Sequence, residues 1–223
     1  MQYIQSTQPI IDSATHVART IREHLDKNET VLWLLSGGSG TAIAIEAAKQ
    51  LTGADNLKNL VISMTDERYG KISHPDENWQ QLLDAGFKLT NAKLYRPLRA
   101  GDKLTTIEAY EAWIKKQFAA ANFTIGIFGI GTDGHTAGIK PDTSATSAGG
   151  FTTYFKGSDF ERMTITYQAI HKLDEAIIQA SGADKKIVLQ QLLDRSTQLH
   201  EMPAQILHKV RSATLYTDQS LTV

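Results

Sequence analysis

Val31-Leu32-Trp33-Leu34-Leu35-Ser36-Gly37-Gly38-Ser39-Gly40-Thr41 passes from five apolar residues straight into a glycine-rich loop. A strand with one wet face would alternate apolar and polar residues. An unbroken apolar run reads as a strand covered on both faces, the habit of parallel sheets flanked by helices. The loop leads into a helix from about Thr41 to Leu51, closed by Gly53. This strand–loop–helix unit sets the expectation for the whole chain.

The same alternation continues on both sides. Upstream, Ile10, Ala14, Val17, Ala18, Ile21 and Leu25 fall on one face of a helix. Downstream, Leu60 to Met64 and Phe123 to Ile130 read as further buried strands, with helices over Asp76–Ala85 and Leu104–Ala120. Asp142 to Gly150 reads as a surface loop. Strands follow at Arg162–Thr166 and Ala176–Ala180, then a helix from Asp184 to Leu193 and a short last helix opened by Pro203; Ala213–Tyr216 reads as an edge strand. The expected fold class is α/β: one domain over residues 1–223, Rossmann-like, with a mostly parallel sheet and helices on both faces. Ligands of such sheets bind beyond the carboxyl ends of the strands.

Bulk composition narrows the function. A net charge of -1 gives no basic excess for a nucleic-acid backbone and no polybasic block for an anionic membrane. There are no cysteines, so disulfides, thiolate nucleophiles and cysteine-ligated zinc drop out together. Met1 to Ser6 has neither the basic region nor the apolar core of a signal peptide, and the apolar runs are too short to span a bilayer. The reading is a cytoplasmic protein without nucleic-acid or membrane partners; no pattern sets an oligomeric state. His16, His24, His74, His171, His200 and His208 lie in no metal-ligand spacing, so no metal and no cofactor are expected.

Three loops at expected strand ends hold the reactive residue types. In Ser36 to Thr41, glycines Gly37 and Gly38 let the backbone approach an anion, and Ser39 adds a hydroxyl at a helix N-terminus; a tight turn with a Ser/Thr cap fits the same residues. It is neither a Walker A loop nor a serine-hydrolase elbow. Thr65-Asp66-Glu67-Arg68-Tyr69 offers Arg68 for an anion or oxyanion and Asp66 or Glu67 for hydroxyls or a proton, unless it is a solvated loop with a local ion pair. Gly129-Ile130-Gly131-Thr132-Asp133-Gly134-His135 matches the dinucleotide pattern only formally, because Pro141 cuts off the helix that pattern requires. Its more specific content is His135 as a general base, with Asp133 two residues away to orient the ring.

Taken in order, these segments resemble the 6-phosphogluconolactonase family and its relatives, the glucosamine-6-phosphate deaminases. Ser36-Gly37-Gly38-Ser39 is similar to the family's first phosphate loop, Asp66-Glu67-Arg68 to its acidic-basic motif, and Asp76-Glu77-Asn78-Trp79 to its D-S-N-aromatic segment. Gly129 to Ala137 is similar to its G-M-G-x-D-G-H-T-A signature. Arg162-Met163-Thr164-Ile165-Thr166, Gly182-Ala183-Asp184-Lys185 and Pro203-Ala204 are similar to its R-I-T-x-T strand, G-x-x-K turn and late P-A pair.

The resemblance implies a NagB/RpiA-type fold and a phosphorylated sugar lactone as substrate. It also implies His135 as the base held by Asp133, with Lys185, Arg162 and the Ser39 loop on the phosphate. The deaminase glutamate position is Lys140, and the deaminase D-E-Y is Asp66-Glu67-Arg68; both favour lactone hydrolysis. The chain departs from the lactonase pattern where S-L-F-P is Gly138-Ile139-Lys140-Pro141, S-T-P is Ser39-Gly40-Thr41 and the D-S-N serine is Glu77. Two other readings stay open: a deaminase or isomerase using Asp66 as a proton shuttle, and a sugar-phosphate-binding regulator without catalysis.

Overall fold

The computed structural model describes residues 1–157 and 159–222. Its strands are β1 (Gln2–Gln5), β2 (Val31–Leu35), β3 (Leu60–Met64), β4 (Asp66–Arg68), β5 (Lys93–Leu94), β6 (Phe123–Phe128), β7 (Thr152–Lys156), β8 (Glu161–Ile165), β9 (Glu175–Gln179) and β10 (Ser212–Thr217). The α-helices are α1 (Pro9–Asp26), α2 (Ser39–Leu51), α3 (Asn78–Asp84), α4 (Lys103–Ala120), α5 (Tyr167–His171) and α6 (Lys186–Asp194). The expected short last helix opens at Pro203 and is a 3₁₀ helix, Pro203–Lys209.

Seven strands form one sheet in the order β1-β10-β9-β6-β2-β3-β5, every pairing parallel. All five residues of β2 are buried, and they alternate between two cores. Val31, Trp33 and Leu35 pack with the apolar faces of α1 and α2. Leu32 and Leu34 pack on the other side, with residues of α4, α5 and α6. Two helical layers therefore explain why β2 carries no polar residue: neither face meets water.

From β2 the chain adds β3 and then β5 on one side, and afterwards crosses to lay β6, β9 and β10 on the other. The order reverses between β2 and β6. Beyond the carboxyl ends of those two strands lies the crevice that such a reversal opens. The two glycine-rich loops leave the sheet at that point.

Three expectations need correction. Ala213–Tyr216 is not at the edge: β10 lies between β9 and β1, and the edge is β1. Arg162–Thr166 supplies β8, yet that strand joins no parallel partner; it pairs antiparallel with β4 and β7 in a separate three-stranded sheet. Asp66-Glu67-Arg68 is accordingly a strand rather than a loop, with Arg68 directly opposite Arg162. The Asp142–Gly150 loop stands, with one 3₁₀ turn at Ser144–Ser147 whose Ala145 is buried. Among the described residues, no helix is long and apolar enough to cross a membrane.

Candidate active site

A cleft of about 500 Å³ opens at the β2/β6 reversal. Gly37, Gly38 and Ser39 form one wall, where no side chain caps the N-terminus of α2. Asp66 and Arg68 enter from β4, Arg162 from β8, and His135 from the loop after β6. Lys185 comes from the 3₁₀ turn between β9 and α6. Asp133 alone among the expected site residues does not line the cleft; it reaches the site through His135.

The loop after β6 is braced by its own backbone. Gly131 N–H donates to His135 O at 2.9 Å and Gly134 N–H to Gly131 O at 3.0 Å, so the chain folds back and sets His135 beside Gly131. A Cβ on Gly131 would overlap both the His135 ring and the Asp133 carboxylate, so only glycine fits there. The Thr136 hydroxyl donates to Gly129 O at 3.0 Å, and Ala204 N–H donates to Gly134 O at 3.0 Å, tying the loop to the Pro203 turn.

Asp133 Oδ1 lies 2.5 Å from His135 Nδ1 and also accepts the His135 backbone N–H at 3.2 Å. The bond to the imidazole holds the Asp133 carboxyl at about 2, so it is ionised throughout the neutral range. A carboxylate on Nδ1–H fixes the tautomer whose free lone pair is on Nε2. The pair is about half exposed, at 36% and 47% for the two side chains, so a water molecule has access to the ring.

Asp66 is the half-buried acid of the site. Burial raises its carboxyl above the ordinary range, opposed by the Thr65 hydroxyl bond at 3.0 Å and by His135, Arg162 and Arg68. Glu67, its neighbour, points away from any chemistry: 1% exposed, it accepts backbone N–H bonds from Arg68, Asn78 and Trp79 at 2.8, 2.6 and 2.9 Å and so caps α3. Alternation along β4 separates the two carboxylates, one to the cleft and one to the helix end.

Arg68 and Arg162 face each other across the β4–β8 pair, where like charges cost stability. Phe160 lies beneath both guanidinium groups, 4.6 Å from Arg68 and 5.3 Å from Arg162. Asp159 takes both terminal nitrogens of Arg162, at 2.5 and 2.8 Å, and also Lys140 at 3.0 Å. Arg162 therefore has a bidentate protein partner, which draws the Asp159 carboxyl far down. Among the described residues, the Arg68 side chain makes only a long bond to Asp76 O, at 3.4 Å, and Lys185 has no ion-pair partner. Those two are the cations most open to a ligand.

Two departures from the family pattern have structural reasons. Glu77 is fully buried and pairs with Arg96, accepting from Nε at 2.6 Å and from Ser73 N–H at 2.6 Å; it pins the loop that leads into Asn78. Gly138 donates its N–H to Thr164 Oγ1 at 3.0 Å, and a side chain there would press on Thr164 and Asp66. Lys140 is spent on Asp159 and lies outside the cleft lining.

Asn78 and Gln179 also line the cleft, and neither was expected as a site residue. Asn78 Nδ2 donates to Asp66 O at 3.2 Å; its signal was the segment Asp76 to Trp79. The signal at Gln179 was one polar residue ending the apolar run Ala176-Ile177-Ile178. Among the described residues, no group of three or more His, Cys, Asp or Glu could hold a metal ion.

A family model described as glucosamine-6-phosphate isomerases/6-phosphogluconolactonase matches residues 5–216. A 6-phosphogluconolactonase of Helicobacter pylori is 28% identical over 199 residues, covering 85% of this chain and 84% of that protein. Among solved structures, a 6-phosphogluconolactonase from Shewanella baltica aligns with TM-score 0.81 and 17% identity over 97% of this chain and 96% of that one. A monomeric glucosamine-6-phosphate deaminase aligns with TM-score 0.79 and 19% identity over 98% of both chains. At such identities the solved structures speak for the fold alone, and they include both activities.

Proposed function

The chain belongs to the glucosamine-6-phosphate isomerase/6-phosphogluconolactonase family, and from that premise we propose that it hydrolyses 6-phosphogluconolactone to 6-phosphogluconate, in the pentose phosphate pathway of the cytoplasm. The observation that carries the proposal is His135, held by Asp133 at 2.5 Å, on the wall of a cleft that also holds Lys185 and the Ser39 loop. A base at one place and anion donors at another are what hydrolysis of a phosphorylated lactone requires.

In this reading His135 Nε2 takes a proton from a water molecule as its oxygen adds to the lactone carbonyl carbon. The carbonyl oxygen becomes an oxyanion, for which Arg68 and the N–H groups around Gly37 and Gly38 are the donors. The bond from carbon to ring oxygen then breaks. The imidazolium returns its proton to that oxygen, leaving a sugar hydroxyl and a carboxylic acid that ionises in water. Lys185 and Ser39 hold the phosphate; Arg162, fixed by Asp159, shapes the cationic wall more than it grips.

The test is a lactonase assay corrected for spontaneous hydrolysis. A rate no faster than the uncatalysed one would overturn the proposal. Asp133→Asn should lower kcat by about 10²-fold, the lower end of what a general base supplies, because solvent reaches the pair and stands in partly for the carboxylate. Steady-state kinetics check it, and an unchanged kcat counts against Asp133 as the orienting group. Lys185→Ala should raise KM for the phosphorylated lactone by roughly 10–100-fold, as expected for one charge-assisted contact. It should leave hydrolysis of unphosphorylated gluconolactone unchanged; an equal loss on both substrates would remove Lys185 from the phosphate.

One observation favours a second reading. Asp66, a cleft-lining acid raised by burial, suits a proton shuttle in sugar-phosphate isomerisation or deamination. Release of ammonia from glucosamine 6-phosphate would establish that activity instead.

A further inference from the structure

Gln179 is the last residue of β9 and only 2% exposed, yet it lines the cleft. β9 pairs with β6 as far as Ile178 opposite Phe128, while Gln179 stands opposite Tyr216 of β10, at the carboxyl end of the sheet. Its Nε2 donates to Ser181 Oγ at 2.7 Å. Its Oε1, among the described residues, has no hydrogen-bond partner at all. Buried carbonyl oxygens are rarely left so, because an unmade bond there costs the full desolvation of the group. Lys185 reaches the same cleft from the turn that follows β9, six residues on in the chain.

We propose that Gln179 is a ligand-binding residue, whose Oε1 accepts a hydrogen bond from a hydroxyl group of the phosphorylated sugar held in the cleft. The inference rests on the sugar-phosphate reading of this site and deepens it. Ser181 holds the amide by its nitrogen and leaves the oxygen as the unused acceptor. An acceptor in that place suits a hydroxyl donor far better than the sugar phosphate, a monoester that is mostly dianionic at neutral pH and offers chiefly acceptor oxygens. Gln179 therefore discriminates by the sugar, and Lys185 by the phosphate. A pocket built to hydrogen-bond a hydroxyl rejects a ligand lacking it much more strongly than an apolar pocket rejects an extra one.

The test compares wild type with Gln179→Leu and Gln179→Met, by calorimetric binding of 6-phosphogluconate, by lactonase kinetics, by inhibition with inorganic phosphate, and by melting of the free protein. Binding of 6-phosphogluconate should weaken about tenfold in both variants, with KM rising alike and kcat little changed. Inhibition by inorganic phosphate should not move. The free variants should melt at or above the wild-type temperature, since an unsatisfied buried acceptor has been replaced by an apolar group of similar size. A purely structural glutamine would show the reverse, a lower melting point with unchanged affinity, and that result overturns the proposal. Equal losses for phosphate and 6-phosphogluconate would overturn it too, by assigning the amide to the anion. Wild type that binds 6-phosphogluconate without hydrolysing the lactone would sink the hydrolase and leave the Gln179 comparison intact on binding alone.

Discussion

His135→Gln is expected to lower kcat by about 10²–10⁴-fold, the usual worth of a general base, while affinity for 6-phosphogluconate stays within about twofold. The split follows from where the residue sits. His135 is carried by a loop whose shape is set by backbone bonds, Gly131 N–H to His135 O at 2.9 Å and Ala204 N–H to Gly134 O at 3.0 Å, so the substitution should leave the loop in place. Glutamine keeps a donor that can still reach Asp133, but it cannot take a proton from water near neutral pH. The anion donors of the cleft, Lys185 and the Ser39 loop, are untouched. Turnover within a few-fold of wild type would remove His135 from the chemistry and leave Asp66 as the remaining cleft acid or base.

Much of this was legible in the residues themselves, and the reason is burial. β2, β3 and β6 are covered on both faces and carry the apolar runs that two-sided burial demands, so their existence and order could be read directly. β1 could not. Gln2-Tyr3-Ile4-Gln5 is short and partly exposed, and only its pairing with β10 makes it a strand; without it, β10 reads as the edge.

The small sheet was hidden for a related reason. Asp66-Glu67-Arg68 has the composition of a turn, and its extended form depends on β8, some hundred residues away in the chain. At the site, the glycine loops and His135 announce themselves by residue type at strand ends. The hold of Asp159 on Arg162 does not, since a surface aspartate gives no local sign of its partner. The pairing of Glu77 with Arg96, nineteen residues on, is equally silent.

The largest expected loss of stability belongs to a carboxylate that composition alone would assign to catalysis. Glu67→Ala should lower the melting temperature by about 10 °C, at roughly 2–4 °C per kcal/mol for a chain of this size. α3 has seven residues, too few to persist by itself, and its first N–H groups need acceptors. Glu67 supplies them from a different strand, taking Asn78 and Trp79 at the helix start together with Arg68 in its own strand. Removing it leaves three donors with no partner, two of them, at Asn78 and Trp79, buried, at about 1–3 kcal/mol for each buried group. Glu67→Gln should fall between, since its oxygen can still accept while its NH₂ meets donors. The damage should reach the cleft as well: Asn78, held by Glu67, is the residue that donates to Asp66 O. A melting curve for Glu67→Ala within about 2 °C of wild type would mean that α3 finds its acceptors elsewhere. The division of labour along β4, Asp66 to the cleft and Glu67 to the helix, would then have to be abandoned.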